Sequence, residues 1–349
     1  MELILSDIVA EYRKYSEDHP LRWMSNLCID KDGAIIEDSL IKYSWALNSI
    51  SAVSRCLQTL ARLDEKAYYD MARNKLRAKN KKSFDMHGLI SAFCELSVMN
   101  TFICRSSAPE SFRYEDHVKE GSSKNVEFSI KMSDFIFHVE VKTSNLILED
   151  KEIAELLKDN PAVLIADAQV ENFEEVRSKT DLPVRGSLAR RLADFLESAN
   201  DKFGKTAGEK EINLLVVCWD DRVHLPLMAL KSPKAQGLLT EKTFIKDDQG
   251  NPLKYDNVDC VLVNGNYALF KEYVIGMLFR RFRPEFPVDP FFQVFTYNYI
   301  IDHNLTTSRI NMIKSIIQQD ATVVDEVFAD KLKPVSIATM KDGFTIKFS

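Results

Sequence analysis

The chain has 349 residues, of which 45% are hydrophobic, 28% charged and 10% aromatic. That composition excludes a disordered, collagen-like or disulfide-scaffold protein and leads us to expect roughly two to three globular domains. Lys and Arg number 46 against 52 Asp and Glu, a formal charge of −6, so a uniform coat of nucleic acid is disfavoured and any phosphate binding needs a local basic groove. The six cysteines (Cys28, Cys56, Cys94, Cys104, Cys218 and Cys260) stand singly, as expected for reduced thiols rather than a zinc site or a secreted framework. Met1 to Asp7 lacks the basic and apolar regions of a secretory signal, and no later apolar run is read as approaching the ~20 residues of a membrane span. The expectation is a soluble, cytoplasmic chain with no membrane partner.

Residues 1 to 84 carry helical spacing, as in Ile41, Trp45, Ile50, Val53, Leu57 and Leu60, with Gly33 the lone glycine before Gly88. This N-terminal helical region ends in a basic stretch, Arg73 to Lys82, holding six cations that include Lys79, Lys81 and Lys82. Such a stretch is either a solvated helix face or a strip that contacts phosphates. From His87 to Phe102 the apolar spacing predicts a mostly buried helix that contains Glu95. A loop with Ser106, Ser107 and Pro109 follows, then a strand pair within 124–143. Segment 149–186 is expected to be mixed, with a short helix and an apolar run from Val163 to Ala166.

Leu188 to Phe203 reads as an amphipathic helix, and Ile212 to Trp219 as a strand buried on both faces. Val258 to Val263 is expected to form one more strand. Beyond 270 the reading is a loop through Phe279, Arg280, Arg281, Arg283 and Pro290, a helix through Ile310, Ile313 and Ile317, and a final strand near Phe344. Alternation of helices and strands predicts an α/β core. The expected domains are 1–84, a core over 85–265, and a C-terminal α+β extension over 266–349.

The hairpin carries the chemistry. A two-residue turn at Ser133-Asp134 sets Ile130 against Phe137, Phe128 against Val139 and Val126 against Val141, giving one wholly apolar side. On the other side, Glu127 lies across from Glu140, Asn125 from Lys142 and Ser129 from His138. Opposed carboxylates repel one another unless a cation lies between them. Lys142 is one candidate, and a divalent ion such as Mg2+ is the other.

Glu-x-Lys on a strand (Glu140 and Lys142), an acidic residue on the preceding strand (Glu127) and a glutamate on an upstream helix (Glu95) resemble the PD-(D/E)XK nuclease superfamily. The resemblance covers roughly residues 86 to 220, and it departs from the usual pattern in having Glu127 where the family has aspartate. It implies a restriction-endonuclease-like mixed sheet flanked by helices. It also implies a Mg2+- or Mn2+-dependent phosphodiesterase that hydrolyses nucleic acid, with DNA favoured and endonuclease favoured over exonuclease. By the same resemblance, Glu127, Glu140 and the Val141 backbone carbonyl would hold the metal, Glu95 would support a second ion or a bound water, and Lys142 would orient the attacking water. Arg190 and Arg191, with Lys79, Lys81 and Lys82, would contact phosphates. A homodimeric partner and a role in restriction or antiviral defence belong to the same expectation.

Two other readings stand beside it. One is a catalytically inactive nuclease-like module that binds nucleic acid or protein; the other is an unrelated α/β protein in which the hairpin is structural. No GxxxxGK[ST], GxSxG or HExxH pattern is present, which leaves P-loop nucleotide hydrolysis, serine hydrolysis and zinc proteolysis without support.

Overall fold

The computed structural model describes residues 19, 22, 44–76, 85–105, 109–144, 155, 158–159, 162–165, 184–185, 188–206, 208–220, 223–279, 299–302, 305–317, 322–332, 336–340 and 345–348. In chain order the elements are α1 (Ser44–Leu63), α2 (Glu65–Asp70), a π-helical turn (Met71–Lys75), α3 (Met86–Arg105), β1 (Ser111–Tyr114), β2 (Phe128–Met132) and β3 (Phe135–Thr143). Next come β4 (Ala162–Ile165), β5 (Val184–Arg185), α4 (Leu188–Lys202), β6 (Glu211–Cys218), α5 (His224–Lys231), β7 (Cys260–Asn264) and α6 (Asn266–Phe279). The chain closes with β8 (Tyr299–Asp302), α7 (Thr307–Ile317), β9 (Thr322–Val324), α8 (Glu326–Lys331), β10 (Ser336–Met340) and β11 (Thr345–Phe348). The protein is therefore α/β, with a seven-stranded mixed sheet in the order β1-β2-β3-β6-β7-β8-β9 and a four-stranded sheet in the order β11-β10-β4-β5.

Two compact units interleave along the chain. One comprises 1–114, 128–134 and 266–296; the other comprises 115–127, 135–265 and 297–349. In the first, Asp64 caps α2 by accepting a hydrogen bond from the Ala67 amide at 3.0 Å, which satisfies one of the donors a helix start leaves open. Strand β1 runs antiparallel to β2, pairing Phe112 with Ile130 and Tyr114 with Phe128. Helix α3 packs on α6 through the stacked rings of Phe93 and Phe270, 5.6 Å apart.

The stretch Met86–Cys104 of α3 reaches the length and hydropathy of a membrane span, contrary to the expectation that no run comes close. Yet 78% of its most apolar window is buried inside the protein, as an all-round apolar core helix must be. Its interior polar groups are satisfied locally. Ser97 donates to the Cys94 carbonyl and Thr101 to that of Ser97, each at 2.7 Å.

In the second unit, β3, β6 and β7 are parallel, β8 is antiparallel to β7, and β9 is parallel to β8. Strands β6 and β7 are buried on both faces, which explains their near-continuous apolar runs. Leu188, Leu192, Leu196 and Ala199 form the buried stripe of α4 and pack on Leu215, Val217 and Val261. The register Glu140↔Leu215 and Lys142↔Val217 puts Glu140 and Lys142 on that same face of the sheet, since parallel partners point the same way.

Strand β1 falls where a connecting segment was expected, because four residues with one alternating aromatic pair carry too little periodic signal. Helix α6 is missing from the sequence reading for the opposite reason: Tyr267, Phe270, Tyr273 and Val274 are all buried, and no polar face marks a 3.6-residue period. The basic stretch from Arg77 to Lys82, most of 149–186 and the segment from Arg280 to Pro290 lie outside the described residues.

Candidate active site on strand β3

Ser133 and Asp134 form the expected two-residue turn, with Ser133 at φ 53°. Beyond it, β3 alternates strictly. His138, Glu140 and Lys142 share one face, and Phe137, Val139 and Val141 the other. The Glu140 side chain is fully buried. Its Oε1 lies 2.7 Å from Lys142 Nζ and 2.5 Å from Lys202 Nζ, while its Oε2 is buried without a hydrogen-bond partner. Both lysines remain partly exposed, at 23% for Lys142 and 18% for Lys202, so their stems cross apolar surface while the ammonium groups stay near water.

Lys202 is absent from the sequence-predicted site. It occupies the last turn of α4, where a cation also meets the negative end of the helix dipole. Three residues beyond Ala199, it continues the buried stripe, and a lysine on a stripe that faces a sheet is the signal that could have found it. The end of α4 is pinned on both sides of Lys202. Asn257 donates from its amide to Asn200 Oδ1 at 2.9 Å and from its side chain to the Asn200 carbonyl at 3.0 Å. Asn213 Nδ2 donates to the carbonyls of Gly204 and Asn257, each at 2.8 Å.

Asn213 in turn connects to a buried ion pair. Its amide donates to Asp259 Oδ2 at 2.8 Å, and Arg309 Nη1 lies 3.5 Å from Asp259 Oδ1. Burial pushes the Asp259 carboxyl above its ordinary pKa, against the opposing pull of the Asn213 amide and Arg309. Arg309 also donates to the carbonyls of Gly208 and Glu209. It thereby locks the turn that starts β6.

The other expected site residues are distributed as follows. Glu127 sits in a bend just before β2, half-buried, its carbonyl accepting from the Glu115 amide at 2.9 Å. Val126, expected beside Val141, packs instead with Leu215 and Val217 under α4, on the Glu140 face. The bend at Glu127 interrupts the alternation, so the hairpin's apolar side ends at Phe128. Val141 is buried and pairs with Val216. Arg190 is exposed, whereas Arg191 Nη1 donates to the buried Ser144 Oγ at 3.3 Å. Lys79, Lys81 and Lys82 lie outside the described residues.

Glu95 belongs to the other unit. Only 8% exposed, it pairs with Lys75 Nζ at 2.5 Å. Lys75 also stands over the Tyr114 ring, 5.3 Å from its centroid, and Tyr114 donates its hydroxyl to Asp70 at 2.6 Å. Burial alone would raise the Asp70 pKa. The hydrogen bonds from Tyr114 and Asn74, with Lys75 and Lys66 nearby, outweigh it and hold the carboxyl below its ordinary value.

Among the described residues, no group of three or more His, Cys, Asp or Glu side chains is placed to hold a metal ion. Glu140 Oε2 is nonetheless an open acceptor: a buried carboxylate oxygen without a partner costs about 1–3 kcal/mol or more, and a hard cation would satisfy it. No family model matches the chain, and no curated protein or solved structure is detectably similar to it.

Proposed function

We propose that the chain is a metal-dependent phosphodiesterase acting on nucleic acid, with DNA the favoured substrate. The observation that carries this reading is the state of Glu140: fully buried, one oxygen shared by two lysines and the other without a partner. A charge placed so expensively is a hallmark of functional sites. Setting aside β4 and β5, which belong to the four-stranded sheet, the order α3, β1, β2, β3, α4, β6, with Glu95 on the helix and Glu-x-Lys on the third strand, supports a restriction-endonuclease-like core.

In this reading Glu140 Oε2 and the Val141 carbonyl, with Glu127, would hold Mg2+ or Mn2+. A bound ion supplies Lewis-acid polarisation of the phosphodiester and a more acidic water. Lys142, tethered to Glu140, is positioned to neutralise charge that develops on the phosphoryl oxygens and to orient the attacking water by hydrogen bonding. Lys202 fixes the Glu140 carboxylate in its rotamer. Arg190, at the solvent edge of α4, is available for phosphate contact.

The same geometry favours a second reading, a nuclease-like module without catalysis. Two ammonium groups already neutralise Glu140, so the site can be electrostatically complete by itself. Incubating the purified protein with plasmid, linear DNA and RNA, with and without Mg2+ or Mn2+, separates the two readings. The enzyme reading expects metal-dependent cleavage that Glu140→Gln and Lys142→Ala abolish. Salt-sensitive binding with no cleavage by the unaltered chain would establish the second reading instead.

A further inference from the structure

The stretch from Glu65 to Leu76, through α2 and the π-helical turn, divides by side. Ala67, Met71, Ala72 and Leu76 are buried, while Lys66, Tyr69 and Arg73 are exposed. Tyr69, at 42%, is the one Tyr, Phe or Trp side chain exposed among the described residues. Tyr68 meets it edge-on, with ring centroids 5.4 Å apart. The Arg73 guanidinium lies over the Tyr69 ring, 4.7 Å from its centroid, within the ~6 Å of a cation–π contact.

The ring, and no carboxylate, holds Arg73 in this place. Asp70 is committed to Tyr114 Oη at 2.6 Å and to Asn74 Nδ2 at 2.8 Å, and Glu95 is committed to Lys75. Among the described residues Arg73 makes no ion pair. A guanidinium carries five N–H donors, and those turned away from the ring stay open. Because the fork is already held, meeting a phosphate costs it less conformational freedom. Arg73 stands in the π-helical turn, closed by the Leu76 amide on the Met71 carbonyl at 2.9 Å, a rare local geometry that recurs at functional sites. In sequence four more cations follow, Arg77, Lys79, Lys81 and Lys82.

We infer that Tyr69 and Arg73 form a platform for single-stranded nucleic acid, the ring stacking a base and the guanidinium meeting the adjoining phosphate. Every base has a π-face that an aromatic side chain can stack on. Inside a duplex both faces are already covered, so the platform takes an unpaired strand or a frayed end. An acidic peptide supplies the charge without the flat face that Tyr69 matches. The inference rests on the nucleic-acid partner proposed above and names the strand form it takes; it uses no role for Glu140.

The test is fluorescence anisotropy of the full chain with a labelled oligothymidylate and with a duplex of equal length, in EDTA so that metal-dependent cleavage does not intervene. Tyr69→Ala is expected to weaken single-strand binding about tenfold, the loss of one stacked base, and Tyr69→Phe to preserve it. Arg73→Gln should weaken it several-fold and flatten the dependence of log K on log salt by about 0.7, one phosphate's share on a single strand. Both side chains are exposed, so these variants keep the fold, which far-ultraviolet circular dichroism checks. Affinity unchanged in Tyr69→Ala and Arg73→Gln overturns the platform and leaves the nucleic-acid reading standing, as does a duplex bound as tightly as the single strand. No binding of either oligonucleotide by the unaltered chain also overturns the platform, whereas the phosphodiesterase reading falls only on the separate cleavage assay with Mg2+ or Mn2+. A phosphotyrosine peptide that binds as tightly as the oligothymidylate overturns the assignment of the ligand.

Discussion

Lys202 Nζ lies 2.5 Å from Glu140 Oε1, joining the last turn of α4 to the middle of β3 across 62 residues of sequence. Lys142, two residues along the same strand, reaches the same oxygen at 2.7 Å. The two ammonium groups differ in origin. Lys142 comes with the strand, whereas Lys202 depends on α4 docking in register, which the hydrogen bonds of Asn257 to Asn200 and of Asn213 to Gly204 enforce.

Replacing each lysine by methionine should therefore separate stability from activity. Lys202→Met keeps the apolar stem, leaves Glu140 one partner, and should lower unfolding free energy by about 1–2 kcal/mol in urea titrations, a partly exposed pair being worth less than a buried one. On the enzyme reading proposed above, it also removes a cation that would compete with a metal for Glu140, so the Mg2+ concentration for half-maximal cleavage should fall. Lys142→Met should cost similar stability and, on the same reading, abolish cleavage. Equal loss of activity in both variants would remove the distinction between a positioning and a catalytic lysine.

The Lys75–Glu95 pair invites a comparable experiment in the other unit. Lys75→Met removes the Lys75 ammonium from a carboxylate that is only 8% exposed, and the expected cost is about 3 kcal/mol. Glu95→Gln keeps the shape, can still accept from Lys75, and should cost about 1 kcal/mol. Chemical denaturation of both variants tests the ranking; a reversed order would mean that Lys75 owes its position to the Tyr114 ring rather than to Glu95.

The sequence already displays the parts of this site that follow from strand periodicity. Alternation around a two-residue turn places Glu140 and Lys142 together, and the near-continuous apolar run from Ile212 announces a strand covered on both faces. Lys202 is invisible to that reasoning, because its distance to Glu140 depends on how a helix stripe docks, a tertiary fact. The hairpin register fails at Val126 for a local reason, the bend at Glu127, which no alternation of residue types signals. Strand β1 and helix α6 escape notice because one is too short to show a period and the other is apolar all round. Glu95 is legible as a buried carboxylate that needs a reason, and its ion pair with Lys75 supplies one.

Gly237 and Gly250 offer a contrast between crowding and conformation. A Cβ on Gly237 would come within 2.9 Å of the Leu230 carbonyl oxygen and the Ser232 nitrogen, backbone atoms held by the hydrogen bonds of the Leu239 amide to the Leu230 carbonyl and of the Ser232 amide to the Met228 carbonyl. They cannot yield as a side chain could, so Gly237→Ala should cost about 2–3 kcal/mol. Gly250 has open space around it but a φ of +82°, and Gly250→Ala should cost only about 1 kcal/mol through backbone strain. Thermal midpoints that fall equally would show that the loop after α5 relaxes.

Asp259 should give the stability of the protein a distinctive pH signature. Burial raises its native pKa above the ordinary carboxyl value despite the Asn213 amide and Arg309. The native state thus keeps a proton that the unfolded chain has released. Its contribution is complete below about pH 4, the unfolded carboxyl value, and is lost as pH rises through the higher native one. Asp259→Asn cannot ionise, yet its amide oxygen can still accept from Asn213. The unaltered protein should therefore lose stability relative to this variant as pH rises from about 4 toward neutrality, with the difference levelling once Asp259 is charged. Urea midpoints measured stepwise across that range test the sign. If the unaltered protein instead gains on Asp259→Asn with rising pH, attraction to Arg309 at 3.5 Å outweighs the burial of the charge.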